Sequence, residues 1–336
     1  MPAPPPQHHD RIQIFPPARP GLPRALARHR RVCAEAIDTS PHRPLLCTEV
    51  LRCLQPAPGD VIVDATLGGG GHASALLPLL APGGHLLACD TDPQALEITA
   101  PRLRAQAPAS VRLTTRQASF RDLQQTLRAC GEPQAHAVLV DLGISQLQLD
   151  DQARGFHFTG VGPLDMRLDP ARGRTAAEWL ASLDVEALAR LLDAHADEPH
   201  ARLIARLLTR APVTTTHALE RLVRLGLEEA NLALSRADIK RSVRRTFQAL
   251  RIAVNDELAA LEALLAQLPD CLAPGGRVVI LTFHSGEERR IIEAFDEGRR
   301  RGVYARIARS PIRSLKAETR ADRRAAACKM RWAIRA

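Results

Sequence analysis

Aromatic residues make up only 3% of the 336 residues, with two Trp and one Tyr, so few rings are present on which a nucleobase could stack. Lysine is nearly absent, and arginine supplies almost all of the positive charge behind a formal balance of +9. That excess implies attraction to a polyanion, with RNA, DNA and acidic lipid all open. Guanidinium forks suit phosphate, but a GC-rich genome would give the same bias, because Ala, Arg and Pro are abundant throughout. No apolar run approaches the length that spans a bilayer, and the N-terminal stretch lacks the apolar segment of a secretory signal. A soluble, cytoplasmic protein is expected. The seven cysteines are scattered and never form the close pairs of a structural zinc site. They are expected to be free thiols, and no metal is expected.

What is present is an ordinary globular composition, 45% hydrophobic and 25% charged, with room for one large α/β domain and an insertion. Residues 1–40 are rich in Pro and Arg and read as a disordered basic arm, with an organellar transit peptide as the alternative. From Pro41 short apolar runs alternate with helical patterns, which predicts a doubly wound, mostly parallel α/β sheet. Val61–Val63, His85–Cys89, Val111–Thr115 and Ala137–Val140 are the expected strands. A helix is expected over Ala73–Leu80, and Pro93 opens another, capped by Thr91 or Asp92. After Asp141 no buried strand appears until Arg277–Thr282. Residues 151–241 therefore read as an inserted helical domain within a sheet domain formed by 41–150 and 242–336. One helix from Ser242 to about Leu268 leads back to the sheet, the turn Ala273–Gly276 follows it, and Met330–Ile334 is expected as a closing edge strand.

The loop Asp64-Ala65-Thr66-Leu67-Gly68-Gly69-Gly70-Gly71-His72 follows the first strand. In an open parallel sheet the ligand lies beyond the carboxyl ends of the strands, and Asp64, Asp90 and Asp141 all fall at such ends. Asp90 is about twenty residues past the loop, where a carboxylate accepts from ribose hydroxyls. Gly68, Gly70 and Ala73 also satisfy a loose dinucleotide fingerprint, so a nicotinamide cofactor stays open at this point. Asp64 favours a methyl donor instead, since a carboxylate repels a pyrophosphate and attracts the α-amino group of a methionyl cofactor.

Further segments make the pattern specific. They are His42-Arg43-Pro44-Leu45-Leu46, Asp141-Leu142-Gly143-Ile144-Ser145, Gln148-Leu149-Asp150-Asp151, Arg154-Gly155-Phe156, Gly162-Pro163-Leu164-Asp165-Met166-Arg167, Ala176-Ala177-Glu178-Trp179-Leu180, Arg245 to Ile252 and Phe283-His284-Ser285. In this order they resemble the RsmH (MraW) family of ribosomal RNA small-subunit methyltransferases, over nearly the whole chain after residue 40. The resemblance implies a Rossmann-like class I methyltransferase fold, with S-adenosyl-L-methionine as cofactor. It implies transfer of a methyl group to the exocyclic N4 of a cytidine in the decoding region of 16S rRNA, free or in the small ribosomal subunit. Cofactor residues carried over are Gly70, Gly71, His72, Asp90, Phe120, Asp141 and Gln148, with Asp64 at the methionine end. The chain departs from the family pattern at Ala65, at Gln146-Leu147 in place of Ser-Pro, at Arg241-Ser242-Val243 in place of His-Pro-Ala, and at Gly286 in place of Leu.

Methyl transfer needs the amine lone pair in line behind the sulfonium methyl, and an acceptor for an N4 proton. The turn holding Asp141 and Ser145 is the expected source of that acceptor, with a pure cofactor contact as the alternative for Asp141. Arg154, Asp165 and Arg167 are expected to order the substrate pocket, with an internal Arg–Asp network as the alternative, and His284 is expected to touch the base, with a helix-capping Ser285 beside a structural His as the alternative. Arg241, Arg244 and Arg245, with Arg236 and Lys240, form the strongest basic run and are expected to meet RNA phosphates or simply to face solvent. A methyltransferase acting on another RNA or DNA base, and a non-catalytic RNA-binding assembly protein, are the rival functions.

Overall fold

The structure is a computed structural model that describes residues 15–19, 26–39, 43–158, 160–230, 232–314 and 316–336. In chain order its elements begin with α1 (Leu26–Thr39), α2 (Cys47–Leu54), β1 (Val61–Asp64), α3 (Gly71–Leu76), β2 (His85–Asp90), α4 (Pro93–Gln106), β3 (Arg112–Gln117), α5 (Leu123–Ala129) and β4 (Ala135–Asp141). A helical stretch follows, with α6 (Gln146–Asp150), α7 (Ala176–Ser182), α8 (Val185–Ala196), α9 (Ala201–Leu208), α10 (Thr216–Glu229), α11 (Arg236–Asn255) and α12 (Glu257–Cys271). The chain closes through β5 (Leu272–Thr282), α13 (Ser285–Arg300), β6 (Tyr304–Ile307), β7 (Ile312–Arg313), α14 (Lys316–Ala321) and β8 (Lys329–Arg335).

The sheet order is β3-β2-β1-β4-β5-β8-β6, with β7 also pairing β8. Strands β1 to β5 run parallel, and β8 runs antiparallel to its neighbours. Consecutive strand residues point to opposite faces, and both faces are covered in β1, β2 and β4, so these are largely apolar rather than alternating, whereas the edge strand β3 is polar and partly exposed. Ile62, Leu86, Leu139 and Val279 face the layer of α1, α2 and α3. Val63, Leu87, Val138 and Ile280 face α5, α12 and α13. The helices between β4 and β5 have a separate core, in which α11 presents Ile239, Val243, Phe247 and Leu250 at helical spacing.

Several expectations are corrected. Leu26–Thr39 is a helix whose Val32, Cys33 and Ala36 are buried, so that part of the arm is ordered. Arg19 also ties the chain to the body by donating to Gln55 and Asp60. Residues 1–14, 20–25 and 40, like His42, lie outside the described residues. Because α1 packs over the start of α2, Cys33 reaches Cys47 and the two are disulfide-bonded, with Cα atoms 5.9 Å apart. Free thiols remain at the other five cysteines. The expected helix over Ala73–Leu80 is α3 plus a 3₁₀ turn at Leu77–Leu79, where Pro78 cannot continue an α-helix.

The single helix expected from Ser242 breaks at Asp256, which takes φ 50° and divides α11 from α12. Asn and Asp tolerate this left-handed geometry better than other side chains. Helix α11 also begins at Arg236 and so crosses the boundary expected at 241/242. Residues Ala273–Gly276 form an irregular excursion of β5 against β4, between the pairs Ala135↔Leu272 and Ala137↔Arg277. Strand β8 is interior, not an edge, because the short β6 and β7 cover its outer side.

Candidate active site

The strand order reverses between β1 and β4, and the crevice beyond their carboxyl ends is where such sheets bind ligands. The glycine loop is built there by its own backbone and by α4. Leu67 N–H donates to the Cys89 carbonyl (2.8 Å), and Gly70 N–H donates to the Leu67 carbonyl (2.7 Å). Thr99 Oγ1 donates to the Gly68 carbonyl (2.9 Å). Gly70 has φ 70°, and a Cβ there would stand 2.4 Å from Thr99 Cγ2. At Gly71 a Cβ would meet Pro44 at 2.9 Å. Side chains at either position would push the loop out of its seat.

Three carboxylates meet around this loop. Burial drives Asp64 up to about 7, against the opposing pull of His72 and the Thr66 amide. Burial also raises Asp90 to about 6, although its oxygens accept from Gly68 N–H (2.7 Å) and Asp92 N–H (2.9 Å). Each Asp90 oxygen keeps a lone pair, which suits a pair of ribose hydroxyls. Asp141 donates its amide to Thr66 Oγ1 (2.7 Å), and its Oδ2 lies 3.7 Å from His72 Nε2. Asp141 Oδ1 and His72 Nε2 are buried and meet no hydrogen-bond partner among the described residues. A buried acceptor without a donor is costly, so a cationic ligand group beside Asp141 would relieve a real deficit. Narrow glycine cradle and orphaned carboxylate together fit a methionyl cofactor.

A cleft of about 420 Å³ gathers Gly70, Gly71, His72, Asp90, Phe120, Asp141, Ser145, Gln148 and Arg244 on its walls. Asp64 lies beneath it, 1% exposed. Ser145 caps α6 by accepting Gln148 N–H, and Gln148 Oε1 accepts Ser145 N–H in return. Gln148 Nε2 donates to Asp92 Oδ2 (2.8 Å), which makes this glutamine a brace between the β4 turn and the β2 turn. Arg244 is exposed, with its guanidinium 5.7 Å from the centre of the Phe158 ring.

Other expected residues are placed elsewhere. Arg154 is buried and donates to Asp92, Gln94 and the Arg167 and Leu168 carbonyls. With both terminal nitrogens engaged it holds the loop together, which corrects its expected substrate role. Asp165 and Arg167 form a two-pronged pair at 2.8 Å and are also absent from the cleft walls, as the internal-network alternative anticipates. Arg241 is exposed beside Asp238 (3.3 Å), and Arg245 also stands off the cleft. His284 caps α13 and packs its buried ring against Glu287 instead of lining the cleft.

The sequence reasoning missed Arg251, Glu257 and Glu287. Arg251 donates to both oxygens of Glu257 at 2.7 Å, and all three residues line the cleft. Glu257, His284 and Glu287 bring ligand-type atoms within 4.8 Å of one another, and Arg251 supplies positive charge beside them. The sequence pattern pointed one residue away: the Ser-x-x-Glu signature of a capping box is Ser285 to Glu288, whereas the box in the structure is His284 with Glu287.

Parallel strands in this order, with an antiparallel β8 inserted beside β5 and a glycine loop after β1, define a class I methyltransferase domain carrying an α-helical insertion. Residues 39–336 match the MraW methylase family, and the chain belongs to it. It is a methyltransferase that depends on S-adenosylmethionine. Ribosomal RNA small subunit methyltransferase H 2 of Alkaliphilus metalliredigens is 40% identical over 300 residues, covering 88% of this chain and 85% of the relative. The small subunit methyltransferase H of Acidobacterium capsulatum is 39% identical over 87% of this chain and 97% of its own length. That of Frankia alni reaches 45% identity over 74% and 77% of the two chains. Among the described residues no helix is long and apolar enough to cross a membrane.

Proposed function

We propose that the chain methylates the exocyclic N4 of a cytidine in the decoding region of 16S rRNA, within the small ribosomal subunit or its RNA, in the cytoplasm. The observation that carries the reading is the buried, unpartnered Asp141 Oδ1 facing a glycine cradle, in a chain whose relatives bear the names given above. The cofactor, when bound, supplies an electrophilic methyl group. Asp141 would hold its cationic methionine end, with Asp64 buried beneath the cleft adding negative charge and His72 packed against Asp141, and Asp90 would take the ribose. Gly70 and Gly71 let the backbone approach it. Phe120 supplies an apolar wall, and Gln148 locks the turn that carries Asp141 and Ser145.

The residues 151–241 form the substrate-recognition part in this reading, together with the α11 face. Arg241, Arg244 and Arg245 meet phosphates there, and Arg244 stands at the cleft mouth beside Phe158. Position does most of the work, because the acceptor nitrogen must lie in line with the methyl group. The test is mass-spectrometric mapping of 16S rRNA from cells with and without the protein. Loss of N4-methylcytidine at a single decoding-region position is expected. An unchanged modification pattern would sink the reading.

A further inference from the structure

Cytosine N4 is a weak nucleophile that sheds a proton as it gains a methyl group, so the cleft needs an acceptor aimed at that nitrogen. Asp141 is matched to the cationic cofactor and His72, the Ser145 oxygen caps α6, and both Glu257 oxygens are held by Arg251. Asp90 is at the ribose end. Glu287 is left. It sits in the first turn of α13, just past the end of β5, and β5 is the parallel neighbour of β4 with Asp141 opposite Leu281. Glu287 lines the cleft although its side chain is only 4% exposed.

We propose that Glu287 is the carboxylate that receives the N4 proton of the target cytosine, an inference that rests on the N4-cytidine reading and deepens it. Glu287 Oε2 accepts Phe283 N–H (2.8 Å) and His284 N–H (3.4 Å), which fixes the group. Oε1 is paired with His284 Nε2 at 3.1 Å, and its second lone pair is left for a substrate proton. Burial opposes ionisation of Glu287, but His284, the Phe283 amide and the Arg251 guanidinium outweigh it and hold the carboxyl below its usual range. The ionised acceptor is therefore the resting form.

In the step itself the N4 lone pair forms the bond to the methyl carbon. The methyl–sulfur bond breaks with its electrons retained by sulfur, and the N4 proton passes to Glu287. A carboxylate held at low pKa suffices, because an alkylated exocyclic ammonium is strongly acidic. The same group discriminates between bases: it accepts from an amino group at C4 and repels the carbonyl oxygen that uracil presents there.

The experiment uses the full chain, small ribosomal subunits lacking the modification, and labelled S-adenosylmethionine. Glu287→Gln keeps the shape and an acceptor for Phe283. Its kcat is expected to fall by about 100-fold or more, with cofactor affinity unchanged. Glu287→Ala is expected to regain activity when formate resupplies a carboxylate, which a structural role would not allow. Near wild-type turnover by the Gln variant overturns the proposal, as does an Ala variant that binds cofactor and ignores formate. If the Gln variant loses cofactor binding, Glu287→Asp decides: turnover above that of Gln supports the proposal, and parity overturns it. A wild-type protein that leaves no methyl group on any cytidine N4 would instead defeat the function on which the inference stands.

Discussion

Replacing Gly70 by Ala asks the glycine loop to accept both a side chain at φ 70° and an atom 2.4 Å from Thr99 Cγ2. The left-handed backbone costs an L-residue about 1–2 kcal/mol. Overpacking in a site that cannot expand adds about 1–3 kcal/mol. Gly70→Ala should therefore lower the unfolding free energy by about 2–5 kcal/mol, read from urea denaturation of the cofactor-free protein. The two costs can be separated. Thr99→Ser removes Cγ2 and keeps the hydroxyl that donates to the Gly68 carbonyl. In that background the remaining close contact is the flexible Arg102 guanidinium at 3.0 Å, so Gly70→Ala should cost mainly the backbone share, about 1–2 kcal/mol. Equal costs in both backgrounds would refute the steric argument, and a cost below about 0.5 kcal/mol would refute the strained geometry as well.

Other consequences are open to measurement. Asp64 and Asp90 have folded pKa values raised to about 7 and about 6, so the folded state binds more protons than the unfolded one between roughly pH 4 and 7. Their contribution to stability is greatest below the unfolded carboxylate range and falls as pH rises through that window. Asp64→Asn should flatten the fall in denaturation midpoint, and an unchanged pH profile would count against the buried charge. Arg154→Ala strips a buried cation from Asp92 and should destabilise the protein by about 3–5 kcal/mol. Weakened RNA affinity without loss of stability would restore a substrate role for Arg154. The triple change of Arg241, Arg244 and Arg245 to Ala should make RNA binding less salt-dependent, lowering the slope against log salt by about one for each phosphate that is no longer neutralised. An unaltered slope means that these side chains only face solvent.

Strands β1, β2 and β4 were legible because each is a short apolar run ending in an aspartate, and the second half of β5 because residues 278–281 are a similar run ending in Thr282. The glycine loop and its three carboxylates were legible for the same reason: strand ends are fixed by pattern, and strand ends make the crevice. The ordered α1 was not. Its apolar residues, Val32, Cys33 and Ala36, are few and embedded among arginines, so only packing against the rest of the fold reveals their burial. The interior position of β8 was hidden because β6 and β7, its covering strands, are too short to carry a pattern. Arg154 was misread because a motif arginine is equally suited to a substrate phosphate and to a buried aspartate, and Asp92 lies 62 residues away in sequence.

The Asp92 carboxylate that engages Arg154 also sets the insertion against the cleft. Asp92, in the β2 turn, accepts from both Gln148 and Arg154, so the cofactor loop region, the β4 turn and the loop entering the insertion meet on one carboxylate. At the far end of the insertion Asn255 donates to the Met166 carbonyl and accepts Leu168 N–H, which ties the end of α11 to that same loop. One turn earlier, Arg251 reaches across the break at Asp256 to Glu257 in α12. Entry and exit of the insertion are thus fastened at one place, on the cleft wall. An RNA contact on the exposed face of α11 would therefore be transmitted by a rigid helix to Arg251 and Asn255 rather than through a flexible linker. The basic face and the cleft need not be coupled by any motion; their relative position is set when the chain folds.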